Sequence, residues 1–288
     1  MPVNGTNSHS TEDSVTHQSR LLFERMERHV TRLSKELRHS DVHRFRTNGR
    51  RVEAILTEFS PETRNRKKLL KRLAKLRKQA GKVRDLDVQI AFLKELKLPD
   101  HRDQRLKMIH WLQEERARRA RKLAKVFDSD LGGEIRKRLR RARAELKLDG
   151  IDPLFSAYAQ LPRPGNGPLN EKALHEFRIA AKRARYLAEL GDTPPAKSFV
   201  EQLKRAQDGI GDWHDVLKLK VAAERHFGGV QDSALVAVLQ NVARARFRQA
   251  VNSLLTALSS LEADRPAVPP RKALRDLSPA APAQAAVA

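Results

Sequence analysis

The sequence predicts an all-α protein built from two related halves. Three observations carry this reading. Apolar residues recur at helical spacing through most of the chain, no run of alternating apolar and polar residues marks a strand, and one histidine-bearing pattern occurs twice.

Taken in order, residues 1–15 are rich in Ser, Thr and Asn without periodicity, and the composition predicts a disordered N-terminus. From Thr16 the residues Leu21, Leu22, Met26, Val30, Leu33 and Leu37 mark a helix to about residue 38. Ser40-Asp41 caps a second helix over 42–59, and Ser60-Pro61-Glu62 restarts a third with proline in its first turn. That helix carries eleven Lys or Arg and no acid between Arg64 and Arg84 over a stripe of Leu69, Leu73, Leu76 and Ala80. Gly81 is expected to end it, with another helix from Val83 to Leu96 and a turn at Leu98-Pro99-Asp100. Charged helices follow over 101–127 and 133–147. Pro and Gly mark 149–170 as the connection between halves, with a short helix over Leu154–Leu161. Asn170 caps the helix that follows, which ends at Gly191, and further helices are expected over 196–208, 213–226 and 231–261. Residues 263–288 read as a disordered Pro/Ala-rich tail. The ordered region is thus 16–262, divided into halves of about 16–148 and 149–262.

The helix after Asn170 organises the rest. At about 100° per residue, His175, Arg178, Lys182, Arg185, Tyr186 and Glu189 share one side, opposite Phe177, Ala181, Ala184 and Leu187. The result is a packed face and a cationic stripe. The second helix repeats it: His43, Phe45, Arg46, Arg50 and Arg51 match His175, Phe177, Arg178, Lys182 and Arg183 at a constant offset of 132. Downstream, Gly81-Lys-Val-Arg-Asp85 matches Gly211-Asp-Trp-His-Asp215 at an offset of 130. Two matches in one order argue for duplication, and the period is far too long for a solenoid.

Composition narrows the function. A net charge of +23 implies a polyanionic partner: nucleic acid, anionic membrane or a phosphate polymer. The chain has no cysteine, which removes disulfides and thiolate chemistry and fits a reducing compartment. The first thirty residues lack the apolar run of about 7–15 residues that a secretory signal needs, and no segment nears the ~18 apolar residues of a membrane span. Motifs for a zinc protease, a serine nucleophile elbow or a Walker loop are all missing. Asp85 and Asp87, two apart on a helix, point in different directions and make a poor metal pair. No enzyme, metal or cofactor is expected.

The pattern His-x-x-Arg-x-x-x-Lys-Arg-x-Arg-Tyr-x-x-Glu, its degenerate copy at His43, Arg46, Arg50 and Arg51, and the two Gly-x-x-x-Asp motifs resemble the CHAD family, the conserved histidine α-helical domain, over roughly residues 16–262. The resemblance implies two pseudo-symmetric four-helix bundles around a central basic cavity or pore. It implies binding of inorganic polyphosphate and association with polyphosphate granules in the cytoplasm. Carried over, the ligand contacts are His43, Arg46, Arg50 and Arg51 in the first half, and His175, Arg178, Lys182, Arg183, Arg185, Tyr186 and Lys204 in the second. The first half departs from the second, with Glu53 and Ala54 opposite Arg185 and Tyr186, and Ala74 opposite Lys204. That half is expected to bind more weakly, with Lys71, Lys75 and Lys78 as substitutes. CHAD domains often accompany a β-rich triphosphatase domain; lacking its strands and its Glu-x-Glu-x-Lys signature, this chain reads as a stand-alone module.

The residues suit the implied ligand. Polyphosphate has no bases to read, so its receptor needs repeated donors: Arg offers planar forks and Lys adaptable point charges. From His175 to Lys182 the stripe rises about 10 Å, enough to meet successive phosphates. More ordinary roles compete for some positions. A charge run such as 64–84 is commonly a solvated face, Asp85 and Asp215 suit structural ion pairs, and Trp111, Trp213 and Phe177 suit the core. The alternative function is nucleic-acid binding, which the charge and a pI of about 10.8 favour. Zinc-finger, bZIP and RRM signatures are missing, and only 5% of residues are aromatic, leaving few platforms for base stacking.

Overall fold

In a computed structural model, residues 6–265 are described except for 36–37, 98–101, 128 and 163–168. The described residues are all-α, without strands. The helices are α1 (Thr6–Leu33), α2 (His39–Phe59), α3 (Arg64–Glu95), α4 (Arg102–Val126), α5 (Ser129–Ala144), α6 (Pro153–Ala159), α7 (Glu171–Ala188), α8 (Pro194–Phe227) and α9 (Ala234–Ala263).

Several boundaries differ from expectation for local reasons. The first helix starts at Thr6 rather than Thr16, since propagation costs far less than nucleation once the apolar part is docked. Asp41 does not cap α2; the N-cap is Arg38, and buried Asp41 lies in the first turn, 3.7 Å from Arg32. Thr63, not Ser60, caps α3, its hydroxyl accepting from the Arg66 amide. Asn170 caps α7 as expected, accepting from the Ala173 amide at 2.9 Å. The expected 98–100 turn and the Pro/Gly-rich middle of the 149–170 connection lie outside the described residues, as does most of the tail.

The largest difference concerns glycine. Gly81 does not end α3, which runs unbroken for 32 residues, and α8 runs for 34 through Gly209 and Gly211. A helical glycine costs only about 1 kcal/mol, less than packing on either side returns. A Cβ at Gly81 would stand 3.5 Å from Nη2 of Arg46, and one at Gly211 would stand 3.5 Å from Nη2 of Arg178. Both glycines therefore let a guanidinium lie against the neighbouring helix.

Packing follows the apolar stripes. In the first half α1 packs on α2 and α5, and α3 packs on α2, α4 and α5. In the second, α7 packs on α6 and α8, and α9 packs along α8. The halves meet where α2 crosses α7 and α3 crosses α8. One core joins them: Phe45, Ile55 and Leu56 of α2 and Leu73 and Leu76 of α3 are buried with Leu174, Ala181 and Leu187 of α7 and Leu203 of α8. A second cluster, with Ile90 and Leu93 on α3, Met108 and Leu112 on α4, Leu219 on α8 and Leu239 on α9, ties the far ends of the long helices together. Phe177 and Trp213 are buried, and Trp111 packs at the edge of the second cluster.

Candidate functional site

Where α2, α3, α7 and α8 converge, the chain encloses two adjoining polar hollows. The first, of about 420 Å³, is lined by His43, Arg185, Tyr186, Lys204 and Gln207 among others. The second, of about 320 Å³, is lined by Arg77, Lys78, His214 and Lys218 among others. Six residues line both: Arg46 and Arg50 from α2, Asp85 from α3, Arg178 and Lys182 from α7, and Asp215 from α8. This shared core holds four basic side chains against two carboxylates. The apolar faces of α2 and α7 are spent on the core, and Arg46, Arg50, Arg178 and Lys182 on their other sides meet in this gap.

The charges there are poorly solvated. Lys182 is pushed down to about 6, first by burial and then by Arg178, Arg50, Arg185 and Arg46. Burial also lowers Arg46 and Arg178 from the usual guanidinium value, against the opposing pull of Asp85 and Asp215. Asp215 is raised, again by burial, with Arg178 opposing and Asp85 reinforcing. Asp85 bridges the halves, 2.9 Å from Lys218 and 3.6 Å from Arg46, so the structural ion pair expected of it exists and sits inside the site. The crowding favours any anion that can replace protein carboxylates or neutralise the surplus.

Other residues of the pattern have different surroundings. Arg51 donates to Glu189 at 2.6 Å, and Arg183 donates to Glu58 at 3.2 Å. The two bonds run in opposite directions across the α2–α7 crossing, a reciprocal exchange that fastens the halves together. Burial lowers Arg51, but the Glu189 hydrogen bond and the charges of Glu189 and Tyr186 together outweigh it, and the net shift is upward. Neither Arg51 nor Arg183 lines a hollow. Tyr186 is buried with the Arg51 and Arg185 guanidiniums 5.7 and 5.2 Å from its ring centre. His43 and Lys204 line the first hollow and Lys78 the second, whereas exposed Lys75 lines neither. His175 stands outside both, its ring 5.5 Å from that of His214, which burial, Lys218, Arg178 and His175 push down to about 4.

Sequence reasoning missed Arg77, Arg84, Gln207, His214 and Lys218, all lining residues. Arg77 was hidden inside the basic run; it is half-buried, ion-paired with Glu53, and lowered by burial. Lys218, one turn beyond Asp215, could have been found by helical spacing. Gln207 gave no signal. It is only 4% exposed, and its amide oxygen and nitrogen both lack a hydrogen-bond partner among the described residues. Nε of Arg178 is likewise buried without a hydrogen-bond partner, whereas Nε of Arg185 stands 3.3 Å from the Glu189 carboxylate. Native interiors rarely tolerate such groups, so these donors are poised for something that accepts. Among the described residues no cluster of His, Asp and Glu could hold a metal ion, and no helix is long and apolar enough to cross a membrane.

The CHAD domain family matches residues 18–223 of the chain. No curated protein matches it. Among solved structures, the CHAD domain from the plant Ricinus communis is similar, with 16% identity, a TM-score of 0.60 and coverage of 88% of this chain and 91% of that one. PptA from Streptomyces chartreusis is similar too, with 17% identity, a TM-score of 0.61 and coverage of 86% and 99%. At such identities the likeness concerns the fold.

Proposed function

The chain belongs to the CHAD family, which is linked to polyphosphate biology, and on that premise we propose that it binds inorganic polyphosphate between its halves. CHAD domains are non-catalytic binding modules. The observation that carries the proposal is the shared core, where Arg46, Arg50, Arg178 and Lys182 outnumber Asp85 and Asp215 around a buried gap. A linear polyanion would take the place of the carboxylates and relieve the repulsion that depresses Lys182. Gln207 and the Nε group of Arg178 would donate to its oxygens.

The same reading takes the molecule as two pseudo-symmetric bundles from a duplicated unit. Supporting it are the paired contacts Arg46–Gly81 and Arg178–Gly211, and the reciprocal bonds Arg51–Glu189 and Arg183–Glu58. Targeting to cytoplasmic polyphosphate granules belongs to this proposal as well.

The test is direct binding of the purified protein to long-chain polyphosphate, duplex DNA and RNA at matched phosphate concentration over a salt series. Polyphosphate should bind tightest, and its affinity should fall with salt with a slope reflecting several phosphates engaged. Equal or tighter binding to nucleic acid would replace this reading with the nucleic-acid one.

A further inference from the structure

The duplication supplies an internal comparison that the charges break. An outer cleft of about 480 Å³ between α3, α4 and α8 adjoins the second hollow, and the two share Asp85 and Lys218. Its counterpart, of about 200 Å³, adjoins the first hollow, and those two share Val88, Asp212 and Asp215. At the 130-residue offset the apolar positions correspond, Leu86 to Val216 and Ala222 to Phe92, so both clefts have the same kind of floor. The charged positions do not correspond. Lys78 of the second hollow faces Asp208 of the first in this alignment. Lys82, Lys218 and Arg225 of the outer cleft correspond to Asp212, Val88 and Glu95 around its counterpart. At all four positions the side joining the second hollow to the outer cleft carries a cation, and the other side carries an acid or an apolar residue.

The cationic side is also continuous. Lys78, Lys82 and Asp85 succeed one another along α3, and Lys218 and Arg225 continue along α8. From Lys78 to Gln89 this is a path of about 16 Å at helical rise. Lys78, Lys82 and Arg225 have no ion-pair partner among the described residues. Lys218 stands at the neck, held 2.9 Å from Asp85.

Building on the polyphosphate reading, we infer that a bound chain leaves the shared core on one side only, through the second hollow and past Lys218 into the outer cleft. There Lys82, Lys218 and Arg225 hold its continuation, and the counterpart, where Glu95, Asp212 and Asp215 outnumber Arg246, excludes it on the other side. The site is therefore selective for long chains: a short phosphate oligomer fills the core, while a longer one gains the track.

The experiment compares tripolyphosphate with long-chain polyphosphate on the full chain. Lys82→Asp with Arg225→Glu should leave tripolyphosphate binding unchanged, which also shows the variant to be folded. It should weaken long-chain binding about tenfold and reduce the salt slope by about 1.4, or about 0.7 for each cation lost, by analogy with single-stranded nucleic acid. Lys137→Asp with Arg141→Glu, exposed on α5, applies the same change of net charge away from the track. A long-chain loss no larger than this control gives, or an equal loss for tripolyphosphate, overturns the track and leaves the core reading standing. If Arg178→Glu with Lys182→Glu leaves both ligands bound, the core reading fails and the track with it.

Discussion

Binding of a polyanion should draw a proton onto Lys182. The ammonium of Lys182 is hemmed in by Arg46 and Arg50 on α2 and by Arg178 and Arg185 on α7, with Asp85 on α3 and Asp215 on α8 as the opposing charges. With its pKa near 6, about 3% of Lys182 is protonated at pH 7.5 in the empty protein. A polyphosphate strand in the core reverses the local field, and a return toward the ordinary value of about 10.4 makes the side chain fully charged. The change is about one proton taken up per binding event at pH 7.5. Correspondingly, affinity should rise about tenfold for each pH unit lowered from 8.5 to 6.5 and flatten below about 6, where Lys182 is already charged. Calorimetry in buffers of different ionisation enthalpy at pH 8 measures the proton count directly, with terminal phosphates already ionised. Lys182→Met should abolish the uptake while retaining part of the affinity. An uptake near zero, or one that persists in Lys182→Met, would refute the argument that repulsion within the core is what the ligand relieves.

Three further outcomes follow from the same geometry. Without ligand, the unfolded chain holds a proton on Lys182 between about pH 6 and 10.5 that the folded chain does not, so this residue's destabilisation is complete below pH 6 and fades as pH rises; thermal melts should show Lys182→Met gaining more over wild type at pH 6 than at pH 9. Gln207→Leu removes two unpartnered buried groups, so it should raise stability by about 1–3 kcal/mol and yet weaken polyphosphate binding; denaturant titration beside a binding assay reads both, and lower stability would contradict the assignment. Arg51→Ala and Arg183→Ala should each cost about 1–2 kcal/mol of stability in the same titration but leave affinity within about twofold, because both bonds fasten α2 to α7 outside the hollows; a large affinity loss would return them to the ligand-contacting set.

Much of the lining of the two hollows was legible because the duplicated pattern marks it twice. Arg46, Arg50, Arg178 and Lys182 share one helical side, and helical geometry alone separates that side from Phe45, Phe177 and Ala181. The same pattern does not distinguish Arg51 and Arg183, which line neither hollow. They match each other in the pattern as well as the core cations do, but their partners, Glu189 and Glu58, lie 138 and 125 residues away in sequence. The expectation that the first half is weaker rested on Glu53, Ala54 and Ala74 standing opposite Arg185, Tyr186 and Lys204. It counted Lys78 as a substitute but overlooked that α3 also brings Arg77 to the second hollow, whereas α8 brings Asp208 and Asp212 to the first.

The sequence by itself determined the helical class, the apolar stripe of each helix, the repeated pattern and the excess of positive charge, because period, composition and self-similarity are local or additive properties of a chain. It could not determine that α3 and α8 run through their glycines, since a glycine's propensity cost is outweighed only by contacts made elsewhere. Nor could it say which cations share a gap and which are neutralised across a seam. Pairing, burial and the depressed pKa of Lys182 depend on distances between helices far apart in sequence, and those distances exist only once the two halves have packed.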